Sequence, residues 1–576
     1  MSAYEEKTWL KAYCETTQPP LDYDHTLLEA YDNTMESFPH RPAYSFMGRS
    51  TNYHELDRSV RRAAAGLRAF GVRPGDRVAV ALPNCPQHVI IYWAILKLGA
   101  VVVEHNPLYT PHELEGPFNN HGARVAIVWD KRASLFDKLR ASTPLETIVS
   151  VDITKSMPRP MQLLLRVPLP KIADLRDQMH GSAPNTVPWE ALLGSAIGGE
   201  GEDVETPDWV TKDSFAVIMY TSGTTGKPKG AVLTHGNLYA NCAQGKAWVP
   251  GLGDEPERLL AALPFFHAFG LTIALNISMF IGGQMLLIPA PKPDLIMSTI
   301  KKMRPTFFSG VPQLFEMVMN ASEEKEIPLT CVKYAFCGGS TLPPSLVDKW
   351  IGMTQGQFSE GYGLTETAPI IVGTPMNEHR KKGYIGVPFP DTEVLVVNKD
   401  NLDEPMPDGE PGEVLVKGPQ VFHEYLDNPE ATEAAFHNGW FLTGDMGVMD
   451  SDGFVKLVAR LKEVIITGGF NVAPDEVEQA LLEHPDIEAC AVVGRPRPDG
   501  AEDVVACVVL RDGAIIDPEN LKSFARERLT RYKVPRTFYS FDDLPRNFLG
   551  KTQRTQVRAD LVKLISQEST NPEIKK

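Results

Sequence analysis

An alternation of short apolar strands with amphipathic helices fills the first half of the chain and limits its fold more than any other feature. "YHELDRSVRRAAAGLRAFG" has the apolar spacing of a helix that ends at Gly71, and "RVAVAL" has the length of a buried strand. "PQHVIIYWAILKLG" predicts a second helix, and "AVVVEHN" and "ARVAIVWD" predict two more strands. The alternation resumes at "SFAVIMYTSG" and runs to about Val372. Such a pattern predicts an α/β fold with mostly parallel sheets covered on both faces.

The pattern changes twice after Val372. "TEVLVVN" and "GEVLVKG" begin a strand-rich region with Gly/Asp turns, which predicts a β-rich subdomain. Beyond Lys462 lie two helical patterns, "PDEVEQALLEHP" and "PENLKSFARERLTRY", and two strand patterns, "EACAVVG" and "DVVACVVL". We therefore predict a large N-terminal domain over residues 1–461 and a small α+β C-terminal domain over residues 462–565. A disordered tail is predicted over residues 566–576.

The net charge and the cysteine spacing exclude several classes of protein. The formal net charge of −16 argues against a general nucleic-acid binder, because such proteins need basic surface to replace counterions. The seven cysteines are scattered with no CxxC pair, which is typical of a reduced protein with neither a disulfide framework nor a zinc site. The N-terminus is polar and has no apolar signal core, so a cytoplasmic location is expected.

Two segments raise the question of a membrane. Residues 271–290 reach the length of a membrane span, but the polar Asn276 and Gln284 and the pair Gly282-Gly283 interrupt them, which predicts a buried helix followed by a core strand. Residues 155–177 are basic and apolar and contain four prolines, which exclude one continuous helix. We interpret them as a surface insertion; peripheral contact with the inner membrane face is the alternative.

A loop rich in Gly, Ser and Thr follows a predicted strand at "MYTSGTTGKPKGAVLTH". Glycines let the backbone approach phosphate closely, and hydroxyls and a lysine can donate to its oxygens. The spacing differs from that of the common NTPase loop, since two residues separate Gly223 from Gly226 and Pro228 follows Lys227. The loop therefore predicts phosphate binding in which the magnesium ligand comes from elsewhere.

The same loop, in the form "YTSGTTGKPKG", resembles the signature of the adenylate-forming superfamily, which includes acyl-CoA synthetases, luciferases and peptide-synthetase adenylation domains. Further motifs of that superfamily follow in its order: "PFFHAFG", "CGGS", "EGYGLTE", "GWFLTGD", "ARLKEVIITGGFNVAPDEVE" and "LPRNFLGK". Together they cover roughly Leu27 to Leu564. Within the superfamily, the chain is most similar to bacterial long-chain fatty-acid–CoA ligases.

The resemblance implies a reaction in two steps that uses ATP, Mg²⁺ and coenzyme A. A fatty acid first forms an acyl-adenylate and pyrophosphate, and the thiol of coenzyme A then displaces AMP. The resemblance also implies a homodimer. The residues leave other readings open: a medium-chain or aryl acid–CoA ligase, an acyl-adenylate ligase that serves another carrier, or a non-catalytic nucleotide- or lipid-binding homologue.

The resemblance also assigns roles to individual residues. It implies that the β- and γ-phosphates of ATP contact Thr221, Ser222, Gly223, Thr224, Thr225, Gly226 and Lys227. It implies an adenine pocket lined by Gly338, Gly339, Ser340 and Tyr362, ribose binding by Asp445, and a nucleotide contact by Arg460. Thr365 would donate to the α-phosphate, Glu366 would bind magnesium, and Lys551 would bind both reacting groups in the first step. Lys462 would be the hinge about which a mobile C-terminal domain rotates, and Gly468 and Gly469 would line the path of coenzyme A.

The acid pocket has fewer sequence signals. The resemblance places His267 of "PFFHAFG" near the substrate carboxylate. This segment has no Asp to hold an ammonium group, so an α-amino acid substrate is disfavoured. Leu271, Ile273 and Leu275, together with "FFSGVPQLFEMV", predict an apolar wall, and each methylene buried against such a wall contributes about 0.8 kcal/mol.

Overall fold

The computed structural model describes most of the chain. The described residues are 2–17, 19–195, 204–221, 228–339, 342, 344–460, 465–468, 470–472, 474–497, 501–511, 513–545, 552 and 554–570. They divide into two compact units. The first contains Met1–Pro107, Pro117–Thr221 and Gly230–Ala459, apart from the undescribed residues, and the second contains Leu108–Gly116 and the described parts of Ser222–Lys229 and Arg460–Lys576.

The described residues form 28 strands. In chain order they are β1 (Pro42–Phe46), β2 (Arg49–Asn52), β3 (Arg77–Ala81), β4 (Val101–Glu104), β5 (Val125–Trp129), β6 (Thr147–Val151), β7 (Val187–Pro188), β8 (Phe215–Thr221), β9 (Lys229–Thr234), β10 (Arg258–Ala261), β11 (Gln284–Leu287), β12 (Phe307–Gly310), β13 (Tyr334–Gly338), β14 (Gln357–Gly363), β15 (Ile370–Gly373), β16 (Val387–Pro388), β17 (Glu393–Asn398), β18 (Asn401–Pro405), β19 (Gly412–Lys417), β20 (Glu424–Tyr425), β21 (Phe436–His437), β22 (Trp440–Met449), β23 (Val455–Arg460), β24 (Ile465–Thr467), β25 (Phe470–Val472), β26 (Ile487–Pro496), β27 (Glu502–Leu510) and β28 (Thr537–Ser540).

Nineteen α-helices lie among the described residues, together with a π-helix over Leu271–Asn276. The α-helices are α1 (Ala3–Glu6), α2 (Leu27–Ser37), α3 (Tyr53–Ala69), α4 (Pro86–Lys97), α5 (Pro111–His121), α6 (Ala133–Leu139), α7 (Arg159–Leu164), α8 (Pro170–Met179), α9 (Trp189–Gly194), α10 (His235–Trp248), α11 (Ala268–Gly270), α12 (Ile277–Phe280), α13 (Pro293–Met303), α14 (Pro312–Lys325), α15 (Pro344–Thr354), α16 (Pro429–Glu433), α17 (Pro474–Leu482), α18 (Pro518–Arg528) and α19 (Arg554–Thr570).

The first unit contains three sheets. One has nine strands in the order β16-β15-β14-β13-β12-β10-β11-β1-β2, and its six central strands, β14 to β1, pair in parallel. A second has eight strands in the order β20-β9-β8-β4-β3-β5-β6-β7, with parallel pairing from β8 to β7. The third sheet has the order β18-β17-β19-β22-β21, with β23 paired to β22; β17 to β22 pair antiparallel. These sheets confirm the predicted α/β fold and its β-rich subdomain.

The second unit has its own apolar core. Its three-stranded sheet has the order β26-β27-β28, and β24 and β25 form a two-stranded ribbon. Strand β28 pairs in parallel with β27 and was not predicted, because "TFYS" is a four-residue run without clear alternation. Helix α19 continues to Thr570, so helix replaces the predicted tail over residues 566–570. Val557, Leu561 and Ile565 recur every four residues on this helix and pack on the sheet, which explains its length.

The two segments that raised the question of a membrane fold as the sequence predicts. Residues 271–290 form the buried π-helix, helix α12 and the core strand β11. The prolines of residues 155–177 separate the short helices α7 and α8. Among the described residues, no helix is long and apolar enough to cross a bilayer. All seven cysteines have free thiols.

Helices α13, α14 and α15 bury a separate apolar cluster against the nine-stranded sheet. Trp350 of α15 is 1% exposed and lies 4.6 Å from the ring of Phe315 and 4.9 Å from that of Phe308, measured between ring centroids. Aromatic side chains of this size contribute strongly to stability because they remove large areas from water and also contact one another's rings.

We expect Trp350→Ala to lower the free energy of unfolding by about 3–5 kcal/mol, because the cavity it leaves cannot collapse fully. The measurement is equilibrium urea unfolding. Trp209→Ala is the matched control, since Trp209 is 54% exposed and its loss should cost less than about 0.5 kcal/mol. Equal losses for the two variants would contradict the assignment of Trp350 to a tightly packed core.

Candidate active site

The carboxyl ends of two neighbouring parallel strands form the centre of the candidate site. Strands β13 and β14 pair in register, with Gly338 opposite Gly361. Ligands of open α/β sheets bind outside the carboxyl ends of the strands. A Cβ atom at Gly338 would lie 3.0 Å from the ring of Phe269, so this glycine makes room for an aromatic side chain of the protein. Gly339 follows with a φ of +85°, a conformation that favours glycine.

A hydrogen bond joins two different sheets at this point. Tyr362, on β14, donates its hydroxyl to Oδ2 of Asp445, on β22, at 2.6 Å. Both side chains are buried, at 7% and 4% exposed. A carboxylate has about four acceptor positions, so the Asp445 carboxylate can accept further hydrogen bonds from a ligand. The two residues predicted to bind adenine and ribose therefore lie in direct contact.

The turn after β14 carries Thr365 and Glu366 and is held from several sides. Leu364 N donates to the carbonyl oxygen of Pro369 at 3.0 Å, which closes the turn. Thr272 of the π-helix donates to the carbonyl oxygen of Ala368 at 2.7 Å. A Cβ atom at Gly363 would lie 1.8 Å from the carbonyl oxygen of Pro369, so only glycine fits there. These contacts give the Glu366 backbone a defined position.

The Glu366 carboxylate has a protein partner that the sequence did not reveal. Tyr425 donates its hydroxyl to Oε1 of Glu366 at 2.8 Å, and both residues are buried. Burial and the adjacent Glu366 carboxylate raise the pKa of Tyr425, so the phenol stays protonated and acts as a donor. Phe422 N also donates to the backbone oxygen of Glu366 at 2.7 Å.

Tyr425 also connects Glu366 with the strand that follows the phosphate loop. Strand β20, which ends at Tyr425, pairs antiparallel with β9, with Tyr425 opposite Ala231. Strand β9 begins at Lys229, directly after the loop, and Thr221 lies at the end of β8 on the other side of the loop. The residue that binds Glu366 therefore pairs with a residue of the strand that follows the loop.

His267 caps a short turn beside the same strand ends. Its Nδ1 accepts a hydrogen bond from Phe269 N at 3.4 Å, and the Phe269 ring contacts Gly338 as described above. Burial lowers the pKa of His267, which favours the neutral imidazole. When Nδ1 accepts, the proton is on Nε2, which can donate to a carboxylate.

Asn84 holds the segment that leads into His267. Its side-chain amide donates to the carbonyl oxygens of Ala261 at 2.9 Å and Leu263 at 2.7 Å, and its oxygen accepts from Phe265 N at 3.0 Å. The Asn84 side chain is buried at 3% exposed. These bonds satisfy a backbone that would otherwise be buried without partners.

The remaining predicted site residues lie in the second unit or outside the described part of the chain. Gly468, in the second unit, is exposed, with a φ of +56°, in the turn between β24 and β25. The backbone of Arg460 ends β23, but its side chain lies outside the described part of the chain. The other predicted residues that the structure does not describe are Ser222, Gly223, Thr224, Thr225, Gly226, Lys227, Ser340, Lys462, Gly469 and Lys551.

The Glu366 carboxylate has the chemistry of a magnesium ligand. Mg²⁺ takes oxygen ligands, usually one or two carboxylates with phosphate oxygens and water. Glu366 provides a carboxylate of which Tyr425 occupies one oxygen, and the turn fixes its direction. A bound Mg²⁺ would neutralise phosphate charge at this position.

Comparison with known proteins agrees with this geometry. The family model of the AMP-binding enzymes matches residues 31–426, and the model of the AMP-binding enzyme C-terminal domain matches residues 476–551. The chain belongs to the AMP-binding enzyme family. Members of this family that form acyl-CoA use ATP, Mg²⁺ and coenzyme A, and the chain is a ligase of this kind.

Individual relatives of this AMP-binding enzyme extend over nearly its whole length. The long-chain-fatty-acid–CoA ligase of Bacillus subtilis is 35% identical over 571 residues, which are 99% of this chain and 100% of the relative. The feruloyl-CoA synthase of an Amycolatopsis species is 35% identical over 522 residues, 90% of this chain and 96% of the relative. A solved structure of o-succinylbenzoate CoA synthetase from Bacillus subtilis superimposes with a TM-score of 0.76 at 27% identity, covering 92% of this chain and 98% of that one. The acid therefore differs among similar proteins.

Two positioning residues of this AMP-binding enzyme, Tyr425 and Asn84, were missed from the sequence. Tyr425 lies 59 residues from Glu366 along the chain, and Asn84 lies 181 residues from Phe265. No local motif connects residues at such separations. The strand pattern in "SFAVIMYTSG" predicts a strand before the phosphate loop, but it does not specify which residues pair with the strand after the loop.

We expect Tyr425→Phe to raise the Mg²⁺ concentration needed for half-maximal activity about tenfold or more, because Glu366 loses a partner that orients it. Activity assays across a Mg²⁺ titration measure this. Tyr31→Phe is the matched control: Tyr31 donates to Oδ1 of Asp57 at 2.9 Å and belongs to no part of the site. The control should lose stability without a change in Mg²⁺ requirement, and an equal shift in both variants would contradict the role of Tyr425.

Proposed function

We propose that the protein is an ATP-dependent long-chain fatty-acid–CoA ligase that forms an acyl-adenylate and pyrophosphate and then acyl-CoA and AMP. The observation that carries the proposal is the similarity to the Bacillus subtilis long-chain-fatty-acid–CoA ligase over nearly the full length of both chains. The apolar residues after His267 support it, since Leu271, Ile273 and Leu275 are all buried at 2% exposed or less. They offer an alkyl chain no polar partner.

In the proposed first step, a carboxylate attacks the α-phosphorus of ATP. Two anions must approach each other, so the site must hold them in line and offset their charge. His267 would donate from Nε2 to the acid, Thr365 would donate to the α-phosphate, and the loop from Thr221 to Lys227 would hold the departing pyrophosphate. Asp445, already fixed by Tyr362, would accept the ribose hydroxyls. The glycines Gly338 and Gly339, with Ser340, would border the adenine, and Arg460 would contact the nucleotide.

In the proposed second step, the thiol of coenzyme A attacks the acyl carbonyl and releases AMP. Gly468 lies in an exposed turn, and together with Gly469 it would let the thin pantetheine chain approach the backbone. The rotation of a C-terminal domain over residues 462–565 about Lys462 belongs to this proposal. So do the homodimer, the cytoplasmic location and a peripheral contact with the inner membrane face.

An aryl acid–CoA ligase is the second candidate. It is favoured by the feruloyl-CoA synthase, which is as similar in identity over nine-tenths of this chain. Phe269, whose ring lies against Gly338, could stack on an aromatic acid. Medium-chain acids and an acyl-adenylate ligase for another carrier are tested by the same experiment, as is a non-catalytic homologue.

The deciding experiment supplies ATP, Mg²⁺, coenzyme A and, separately, saturated acids of increasing chain length, ferulate and benzoate. Mass spectrometry identifies the products. We expect palmitoyl-CoA and AMP, with kcat/KM rising with chain length because each added methylene can contribute up to about 0.8 kcal/mol, nearly a fourfold gain. Higher kcat/KM for ferulate would select the aryl acid, adenylate without thioester would select another carrier, and ADP would exclude the mechanism.

We expect Lys551→Ala to reduce acyl-adenylate formation about 100-fold or more, because the attacking carboxylate and the α-phosphate lose a shared cation. Thioester formation from supplied acyl-adenylate should stay unchanged. Each half-reaction is followed alone, by pyrophosphate release and by acyl-CoA formation. Lys399→Ala is the control, since Lys399 pairs with its neighbour Asp400 at 3.0 Å in a turn of the first unit. Equal loss of both half-reactions would refute the assigned role.

A further inference from the structure

Three side chains that can bind a metal ion meet at the edge of the eight-stranded sheet, outside the candidate active site. Asp130, Asp152 and His180 each offer one nitrogen or oxygen atom, and these atoms all lie within 4.8 Å of one another. Imidazole and carboxylate are ligands that zinc takes in proteins. None of the three residues belongs to the motifs that resemble the adenylate-forming superfamily.

Parallel strand pairing places the two aspartates side by side. Strands β5 and β6 pair in register, with Trp129 opposite Val151. Asp130 and Asp152 are the next residues along the chain, so both follow their strands at the carboxyl edge of the sheet. His180 directly follows helix α8, and its Nδ1 lies 2.5 Å from Oδ2 of Asp130 and 3.4 Å from Oδ2 of Asp152. The ends of three separate elements thus converge on one point.

One carboxylate oxygen of this cluster is buried without a partner. The Asp130 side chain is 4% exposed, and its Oδ1 has no hydrogen-bond partner among the described residues. Burial raises the pKa of Asp130 to about 6, although the nearby His180 and the Gly181 N–H act in the opposite direction. The Gly181 N–H nevertheless forms no hydrogen bond of ordinary geometry with Oδ1. Buried polar atoms nearly always have a partner, so this oxygen indicates a ligand.

The surroundings of the cluster favour a cation. The three side chains line a cavity of about 510 Å³. Asp177 and Glu190 add two further carboxylates to its wall, and the lysine of the wall, Lys155, pairs with Glu190 at 2.8 Å. Acidic groups that line one cavity raise the local concentration of cations. The His180 side chain is 43% exposed, so an ion can enter from solvent and keep water as a ligand.

From this juxtaposition we infer that Asp130, Asp152 and His180 bind one divalent transition-metal cation of the Zn²⁺ type, with water completing its coordination. Tetrahedral ligands at about 2.0 Å from Zn²⁺ lie about 3.3 Å apart, and Nδ1 of His180 is 3.4 Å from Oδ2 of Asp152. The unpartnered Oδ1 of Asp130 offers a ligand atom for which no hydrogen bond competes. The ion replaces the proton shared between Nδ1 and Asp130, and that proton passes to solvent.

The ligand types decide which ion is favoured. Imidazole nitrogen suits Zn²⁺, whereas Mg²⁺ prefers oxygen ligands alone. The site uses no cysteine, so the scattered cysteines, which argue against a thiolate zinc site, do not exclude it. A bound ion would join the ends of β5, β6 and α8 and so fasten the segment between residues 153 and 180 to the sheet.

The test is equilibrium dialysis of the full-length protein, stripped of metal with a chelator, against Zn²⁺ with excess Mg²⁺ to fill oxygen-only sites. Bound zinc is counted by elemental mass spectrometry. We expect the parent protein to bind one more Zn²⁺ per chain than Asp130→Asn, Asp152→Asn or His180→Gln. Each substitution should raise the dissociation constant about 100-fold or more, because losing a ligand costs more than losing a group that only orients one. Co²⁺ should give a visible absorption band with the parent protein and none with these variants.

His25→Gln is the matched control. His25 also lies between two carboxylates, with Nε2 3.1 Å from Oδ2 of Asp22 and Nδ1 2.5 Å from Oε2 of Glu29. These carboxylates contact different ring nitrogens and are 73% and 50% exposed, so the three groups do not converge on one ion. The control should bind as much zinc as the parent protein.

Thermal unfolding midpoints measured without metal show which variants are folded. His180→Gln changes a half-exposed side chain, so it keeps the test readable if an aspartate variant does not fold. Equal zinc binding by the parent protein and the three variants would overturn the inference. An equal loss in His25→Gln would do the same, as would displacement of the bound zinc by Mg²⁺ at similar concentration. Zinc held by thiols is common to all variants and cancels in the comparison. No step of the proposed ligase reaction enters the measurement, so failure of one proposal is distinguishable from failure of the other.

Discussion

Parallel pairing of neighbouring strands is the constraint on which the site depends. A parallel sheet brings the carboxyl ends of its strands to one edge, and the chain must leave each strand through a loop at that edge. Here β13 and β14 end side by side, with Gly338 opposite Gly361. Tyr362, Thr365 and Glu366 follow within a few residues. If the register of β14 shifted by one residue, Tyr362 would turn to the other face of the sheet and lose Asp445.

Two tyrosine–carboxylate hydrogen bonds then hold the site in a defined geometry. Tyr362 orients Asp445, and Tyr425 orients Glu366; the first bond joins two sheets of the first unit, and the second joins strand β20 to the turn after β14. A buried carboxylate without partners is strongly unfavourable, and a hydrogen bond to a charged group typically contributes about 1.5–3 kcal/mol. The tyrosines therefore offset part of the free-energy cost of burying both carboxylates. A preformed geometry reduces the reorganisation that binding of a nucleotide and a metal would otherwise require.

Much of the fold could be predicted because its signals are local. Helix α4 follows from the continuous apolar run between Pro86 and Lys97, and the prolines of residues 155–177 separate α7 from α8 as expected. Strand β28 was missed because four residues carry little periodicity, and it forms only because β27 offers a parallel edge. Helix α19 extends further than predicted because its apolar spacing continues to Ile565 and finds a sheet to cover. In both cases, packing between secondary-structure elements determined a feature that the local sequence pattern did not specify: the presence of β28 and the length of α19.

The sequence by itself determined the family, the order of the motifs and the types of residue at the candidate site. Those depend on short runs of residues whose chemistry is local, such as Glu366 within "EGYGLTE". Only the tertiary structure decided that Tyr425 binds Glu366, that Asn84 holds the segment before His267, and that Gly338 makes room for Phe269. It also decided which leucines of residues 155–177 attach the segment and which face water. These partners are far apart along the chain, and packing of the sheets and helices, which no local pattern encodes, brings them within contact distance.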